Sequence, residues 1–153
     1  MQFERSLETP IGRILICADA LGICALRFHA EEIKNDASEL LDLAQKELEE
    51  YFAGRRRAFS VPLSMHGTAF QQAVWHALME IPYGQTAAYG QIARRIGREK
   101  ACRAVGMANH VNPLPIFVPC HRVVGANGRL TGYAGGLEIK QILLQIEKDN
   151  AEV

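Results

Sequence analysis

The sequence contains no apolar run near the ~20 residues that a membrane-spanning helix requires. Its start, Met1-Gln2-Phe3-Glu4-Arg5, lacks the basic-then-apolar order of a secretory leader. No membrane association is therefore expected, and a cytoplasmic location is. Cysteine is scarce, with four (Cys17, Cys24, Cys102 and Cys120) in 153 residues. Without an export signal these read as free thiols in a reducing compartment rather than as a disulfide framework. Cys17, Cys24 and His29 invite a zinc reading, but the two cysteines stand further apart than in the close knuckles of structural zinc sites, and strand packing accounts for them as well. Neither a metal nor a cofactor is expected.

Net charge is also absent, since 17 Lys/Arg balance 17 Asp/Glu, and the 48% hydrophobic and 22% charged content is that of an ordinary globular chain. Locally the balance breaks. Residues 86–135 carry 7 Lys/Arg against 1 acid, whereas residues 1–85 carry 8 against 12 and residues 136–153 carry 2 against 4. A positive field of this kind attracts phosphate and is the electrostatic footprint of nucleic-acid binding, with a merely solvated basic face as the bland alternative.

Along the first sixty residues, Gln2–Leu7, Gly12–Ala18 and Gly22–Phe28 are short, Ile/Leu/Cys-rich and separated by turn signals, which predicts three antiparallel strands. From Asp36 the spacing of Leu40, Leu41, Ala44, Leu48, Tyr51 and Phe52 predicts a helix ended by Gly54. Its acids Glu39, Asp42, Glu47, Glu49 and Glu50 are expected to face solvent, and Arg55-Arg56-Arg57 leads into a candidate fourth strand. An α+β chain is expected, with one domain over 1–62 and a second over 63–153.

In the second domain Thr68-Ala69-Phe70-Gln71 has the form of a capping box, with Phe70, Ala73, Val74, Ala77 and Leu78 on one face and Pro82 as a stop. A helix from Thr86 to Ile96, the terminator Gly97 and a helix from about Glu99 to His110 form a helix-turn-helix pattern, for which an ordinary helical hairpin is the alternative. Ala101, Ala104, Val105 and Ala108 are expected to point inward, leaving Arg103, Gly106, Met107 and His110 outward. Asn112-Pro113-Leu114-Pro115 cannot be helical, and Ile116-Phe117-Val118 reads as a buried strand. That strand would deliver Pro119-Cys120-His121-Arg122-Val123, a nucleophile candidate directly before a base candidate. Adjacency does not make a dyad, because successive side chains of an extended segment point to opposite faces, and most free cysteines are small buried apolar residues. A final helix spans Leu137 to about Lys148, with Lys140 and Glu147 on one side. The glycines of Thr131-Gly132-Tyr133-Ala134-Gly135-Gly136 allow a loop to bend closely around a ligand, although the Gly-Lys-Ser/Thr ending of a phosphate loop is missing.

Arg103-Ala104-Val105-Gly106, Asn112 before Pro-Leu-Pro-Ile, Pro119-Cys120-His121-Arg122 and Gly132-Tyr133-Ala134-Gly135-Gly136, in this order, resemble the O6-alkylguanine-DNA alkyltransferases over roughly residues 68–147. The resemblance implies a small ribonuclease-H-like antiparallel-sheet domain followed by a mainly helical, winged-helix or helix-turn-helix-like catalytic domain. It implies a monomer acting on double-stranded DNA that contains alkylated guanine, with O4-alkylthymine as a further candidate lesion. Cys120 would take the alkyl group irreversibly as a thioether, one turnover per molecule. His121 would draw the thiol proton through a water, Glu147 would orient the imidazole and Asn112 would brace the turn. Tyr89 would assist the leaving guanine, and Lys140 would lie near the thiolate. DNA contacts fall on Arg103, Tyr89, Ala104, Gly106 and Arg122, with Arg103 filling the gap left by a flipped base. Val123, Tyr133, Ala134 and Gly135 would line the substrate pocket. A non-catalytic helix-turn-helix regulator or lesion sensor and a Cys/His hydrolase are the alternatives from other classes. Cys120 argues against the sensors, which carry another residue there, and no independent oxyanion site supports the hydrolase.

Overall fold

The computed structural model describes residues 2–133 and 135–151, in two compact units divided between His66 and Gly67. In the first unit, strands β1 (Phe3–Thr9), β2 (Gly12–Ala18) and β3 (Ile23–Arg27) form an antiparallel sheet with β2 central. β1 and β2 pair from Phe3↔Ala18 to Thr9↔Gly12 around a tight turn, where Gly12 takes φ 94° and the Thr9 hydroxyl accepts from the Ile11 N–H. Such a backbone conformation is open to glycine at little cost. β2 supplies the core with Ile14, Leu15, Ile16, Cys17 and Ala18, all buried.

Helix α1 (Glu39–Phe52) starts at Ser38, whose side chain accepts from the Leu41 N–H. Capping of this kind satisfies one of the donors that a helix start leaves open. Leu41, Ala44, Leu48 and Tyr51 then recur at the helical period and are fully buried against the sheet. Glu47 departs from the solvated acidic face expected for it. Its carboxylate is fully buried and accepts from the backbone N–H groups of Ser60 and Val61, each at 3.0 Å, and from the Ser60 hydroxyl, with Arg56 at 3.2 Å. Burial alone would raise its pKa, but these donors outweigh burial and hold it below the usual carboxylate range. The segment after Arg57 meets the sheet only as an isolated bridge, Ile23↔Leu63, rather than as a fourth strand, because Glu47 has engaged the preceding backbone donors.

The second unit begins with α2 (Ala69–Met79), where Thr68 and Gln71 form the expected capping box. Its interior face is Val74, Trp75, Ala77 and Leu78; Ala73 is exposed, and Trp75 turns inward to donate from Nε1 to the Ala108 carbonyl at 2.9 Å. That bond fixes α2 to α4 (Cys102–His110). Between them, α3 (Tyr89–Arg95) starts later than expected. Thr86 does not cap it: Ala87–Ala88 instead form the short strand β4, parallel to β5 (Val123–Val124), and Gln91 reaches back to accept from the Ala88 N–H. Gly97, at φ 74°, turns the chain toward α4, whose buried residues are Val105, Ala108 and Asn109. Ala104, expected inside, is exposed. Helix α5 (Leu137–Asn150) buries Ile139, Lys140, Leu143 and Glu147 along one face, which brings two charged residues into the interior.

Replacing Glu47 with Ala is expected to lower the unfolding free energy by about 2–4 kcal/mol, since the buried Val61 N–H, the two Ser60 donors and Arg56 lose their acceptor. Glu49→Ala, on the exposed side of α1, should stay within about 0.5 kcal/mol. Urea denaturation midpoints of the two variants check the contrast.

Candidate active site

Between α4 and β5 the chain makes a turn rather than the strand expected at Ile116–Val118. Proline at 113, 115 and 119 removes backbone donors, and the Asn112 side chain replaces ladder bonds. Its Oδ1 accepts from the Leu114 N–H and its Nδ2 donates to the Val118 carbonyl, both at 2.9 Å, while the Val118 N–H closes on the Leu114 carbonyl. Ile116 is held at φ 77°, a conformation that strains a β-branched residue and persists because the surrounding turn enforces it. The turn delivers Cys120, His121 and Arg122 as one 3-10 turn with all three buried.

Cys120 is enclosed, and burial pushes its thiol pKa up. The polar side chains of Asn112 and Tyr133 and the positive charge of Lys140 act in the opposite direction without overcoming burial. The sulfur is thus a thiol at rest in a setting already arranged for the anion, and a base is needed to remove its proton. Lys140 reaches this position from α5, with Nζ donating to the carbonyls of Val123 at 2.7 Å and Thr131 at 3.3 Å. Burial lowers its pKa, and a thiolate at Cys120 would raise it. Tyr133, Val123 and Gly135 are buried; Ala134 lies outside the described residues.

His121 meets Glu147 through Nε2 and Oε2 at 2.6 Å. Glu147 also accepts from Arg122, Nε to Oε1 at 2.8 Å and Nη2 to Oε2 at 3.1 Å, and from the Gly84 N–H at 3.3 Å. Burial works against the charge on Glu147, but His121 and Arg122 overcome it and hold the carboxyl at about 2. An ionised carboxylate only accepts, so Nε2 of His121 carries the proton and Nδ1 presents a lone pair. Among the described residues Nδ1 has no hydrogen-bond partner. Burial, aided by Arg122 and Lys140, outweighs Glu147 and sets the imidazole below its ordinary range, so it is a neutral base.

Arg122 departs from the DNA-contact role expected of it. Only 7% of its surface is exposed, and its remaining donor, Nη1, is bonded to the Ile81 carbonyl at 2.7 Å. Glu147 draws it inward, because a buried carboxylate requires a cation and a full set of donors. Arg103, Ala104 and Met107 instead lie exposed on α4. Tyr89, Gly90, Arg94, Cys102, Arg103 and Gly106 line an open groove of about 680 Å³ between α3 and α4. At Gly106 an added Cβ would stand 3.9 Å from the Tyr89 ring, so the glycine keeps the groove floor low without a steric necessity. The Tyr89 hydroxyl bonds to Thr131 Oγ1 at 2.7 Å. Thr131, whose carbonyl also accepts from Lys140, links the groove to the sulfur site; sequence reading passed over it because nothing in its spacing marks it. Among the described residues no group of three or more His, Cys, Asp or Glu is placed to hold a metal ion, and no helix is long and apolar enough to cross a membrane.

Acid stability follows from the two shifts. An unfolded chain takes a proton on His121 below pH 6.5 and on Glu147 below 4.5, and the folded unit resists both; stability therefore falls as pH drops through 6.5, and again from 4.5 toward 2. Glu147→Gln is expected to reduce stability at neutral pH yet flatten the loss below 4.5, as read from urea midpoints across that range.

Comparison with known proteins places this geometry. Residues 69–149 match the DNA binding domain model of 6-O-methylguanine DNA methyltransferase, and residues 3–65 match its ribonuclease-like domain. A methylated-DNA--protein-cysteine methyltransferase of Methanosarcina acetivorans is 50% identical, over 92% of this chain and 94% of its own. The constitutive one of Bacillus subtilis is 48% identical, over 97% and 96%. Among solved structures, Mycobacterium tuberculosis OGT in complex with DNA superimposes with a TM-score of 0.89 at 43% identity, covering 97% of this chain and 94% of that one. The chain belongs to the 6-O-methylguanine DNA methyltransferase family.

Proposed function

We propose that this protein repairs DNA directly by moving the alkyl group of O6-alkylguanine irreversibly to Cys120. The observation that carries the reading is Cys120 itself, a buried thiol in the electrostatic reach of Asn112, Tyr133 and Lys140, next in the chain to a neutral imidazole anchored on Glu147. His121 Nδ1 accepts the thiol proton through a water, the sulfur forms a bond to the alkyl carbon, and the carbon–O6 bond breaks with its electron pair leaving on guanine. The Tyr89 hydroxyl donates toward the departing base and regains its proton from solvent. Lys140 and Asn112 steady the anionic sulfur. The product thioether is stable, so each molecule acts once.

The chemistry requires the base to leave the duplex, because a buried sulfur cannot reach an O6 substituent inside the stack. Arg103 at the exposed side of the groove occupies the space left behind, while Ala104 and Gly106 allow close approach of the DNA. Val123, Tyr133 and the backbone of Gly135 form the pocket wall. The protein acts as a cytoplasmic monomer on double-stranded DNA carrying alkylated guanine.

Incubation with a duplex carrying labelled methyl on guanine O6 is expected to place one label per chain on Cys120, found by peptide mapping, and Cys120→Ser should abolish transfer while retaining DNA binding. Label that stays on the DNA rejects the proposal. Arg103→Ala is expected to slow repair of duplex about 10–100-fold, as the loss of a few kcal/mol of support for the flipped state would do, with little change toward free O6-methylguanine. Equal losses on both substrates would remove Arg103 from flipping.

A further inference from the structure

The buried position of Arg122 gives it a task away from the DNA surface. Its guanidinium bonds both oxygens of Glu147, its third nitrogen is held by the Ile81 carbonyl, and its Cζ lies 5.7 Å from the centre of the Tyr83 ring. Both orientation and charge are therefore fixed. A carboxylate beside an imidazole in a dry interior, with no cation of its own, stabilises the imidazolium and consumes the base. With a guanidinium on the carboxylate the pair is already neutral, and a further proton on the imidazole would be a net buried charge.

We propose that Arg122 is a positioning residue of the alkyl-transfer site: its positive charge, paired with both oxygens of Glu147, holds that carboxylate as an acceptor for Nε2 of His121 and keeps Nδ1 open as a neutral base. The inference rests on the reading of His121 as the base for Cys120. The charged groups acting on His121 are Arg122 in its own turn and Glu147 and Lys140 from α5, with Cys120 preceding it in the chain; Tyr83, after α2, faces Arg122. Lys140 also disfavours a proton on His121, but it is bound to carbonyls and does not touch Glu147 among the contacts described. It cannot replace Arg122 on the carboxylate.

The test uses the full chain and its Arg122→Met and Arg122→Lys variants, in single-turnover transfer from methylated duplex at saturating protein between about pH 5 and about pH 9. In the methionine variant the half-maximal pH of the acid limb is expected to rise by about one unit or more, with the rate at neutral pH lowered about two- to threefold for a one-unit rise. Arg122→Lys, which keeps the cation, is expected to restore the limb to within about half a unit of the parent. A methionine variant whose acid limb is unmoved, whatever its rate or DNA affinity, overturns the proposal, as does a lysine variant shifted as far as methionine. Nitrogen-15 NMR of the unmodified protein gives a measurement free of variant misfolding. At neutral pH His121 is expected as the uncharged Nε2–H tautomer, and an imidazolium or an Nδ1–H form overturns the proposal. If the parent chain transfers no alkyl group at any pH, the functional reading fails, whereas transfer with an unmoved limb removes only the role of Arg122.

Discussion

A single buried carboxylate, Glu147, organises the catalytic unit. Its two oxygens collect donors from the Cys120–Arg122 turn and from Gly84, after α2, while the residue itself belongs to α5. Placing such a charge in the interior is unfavourable unless every lone pair is used and a cation lies alongside. Both conditions are met here, so the interaction defines how three segments distant in sequence must meet. The electrostatic demand that locates α5 also gives His121 its tautomer.

A second constraint acts on the other side of the sulfur. Asn112 substitutes side-chain bonds for the ladder bonds that the prolines forbid, and Ile116 accepts a left-handed backbone so that the turn can close. The turn is consequently constrained where Cys120 is attached, which suits the proposed displacement at carbon, because a misplacement of about 1 Å can cost a large factor in rate. The groove of Tyr89, Arg103 and Gly106 lies on the α3–α4 pair, and Thr131 connects it to Lys140 and thus to the cysteine environment. The groove and the surroundings of the cysteine are therefore built from different side chains joined through short polar contacts.

Much of the secondary structure was legible in the chain because local rules governed it. The first three strands and their turns, the capped start of α2 and the glycine stop before α4 follow from side-chain period, turn chemistry and capping. The expectations failed where a tertiary partner overrode a local signal. Glu47 looked like part of a solvated helix face, but the donors of Ser60 and Val61 drew it in. Thr86 looked like a cap, but the Ala87–Ala88 pairing with Val123–Val124 extended the backbone past it. Ile116–Val118 looked like a strand, but Asn112 and the prolines made a turn.

By itself the sequence determined the basic middle segment and, through its resemblance, the family and the cysteine to examine. Those properties reside in composition, in local period and in motifs read along one stretch of chain. Only the tertiary structure decided which charges are inside. Arg122 and Arg103 are the same residue type within twenty positions of one another, and one is clamped to Glu147 while the other lines the exposed groove. Burial of a charge depends on whether a distant partner supplies the compensating charge and hydrogen bonds, and no local pattern encodes that meeting.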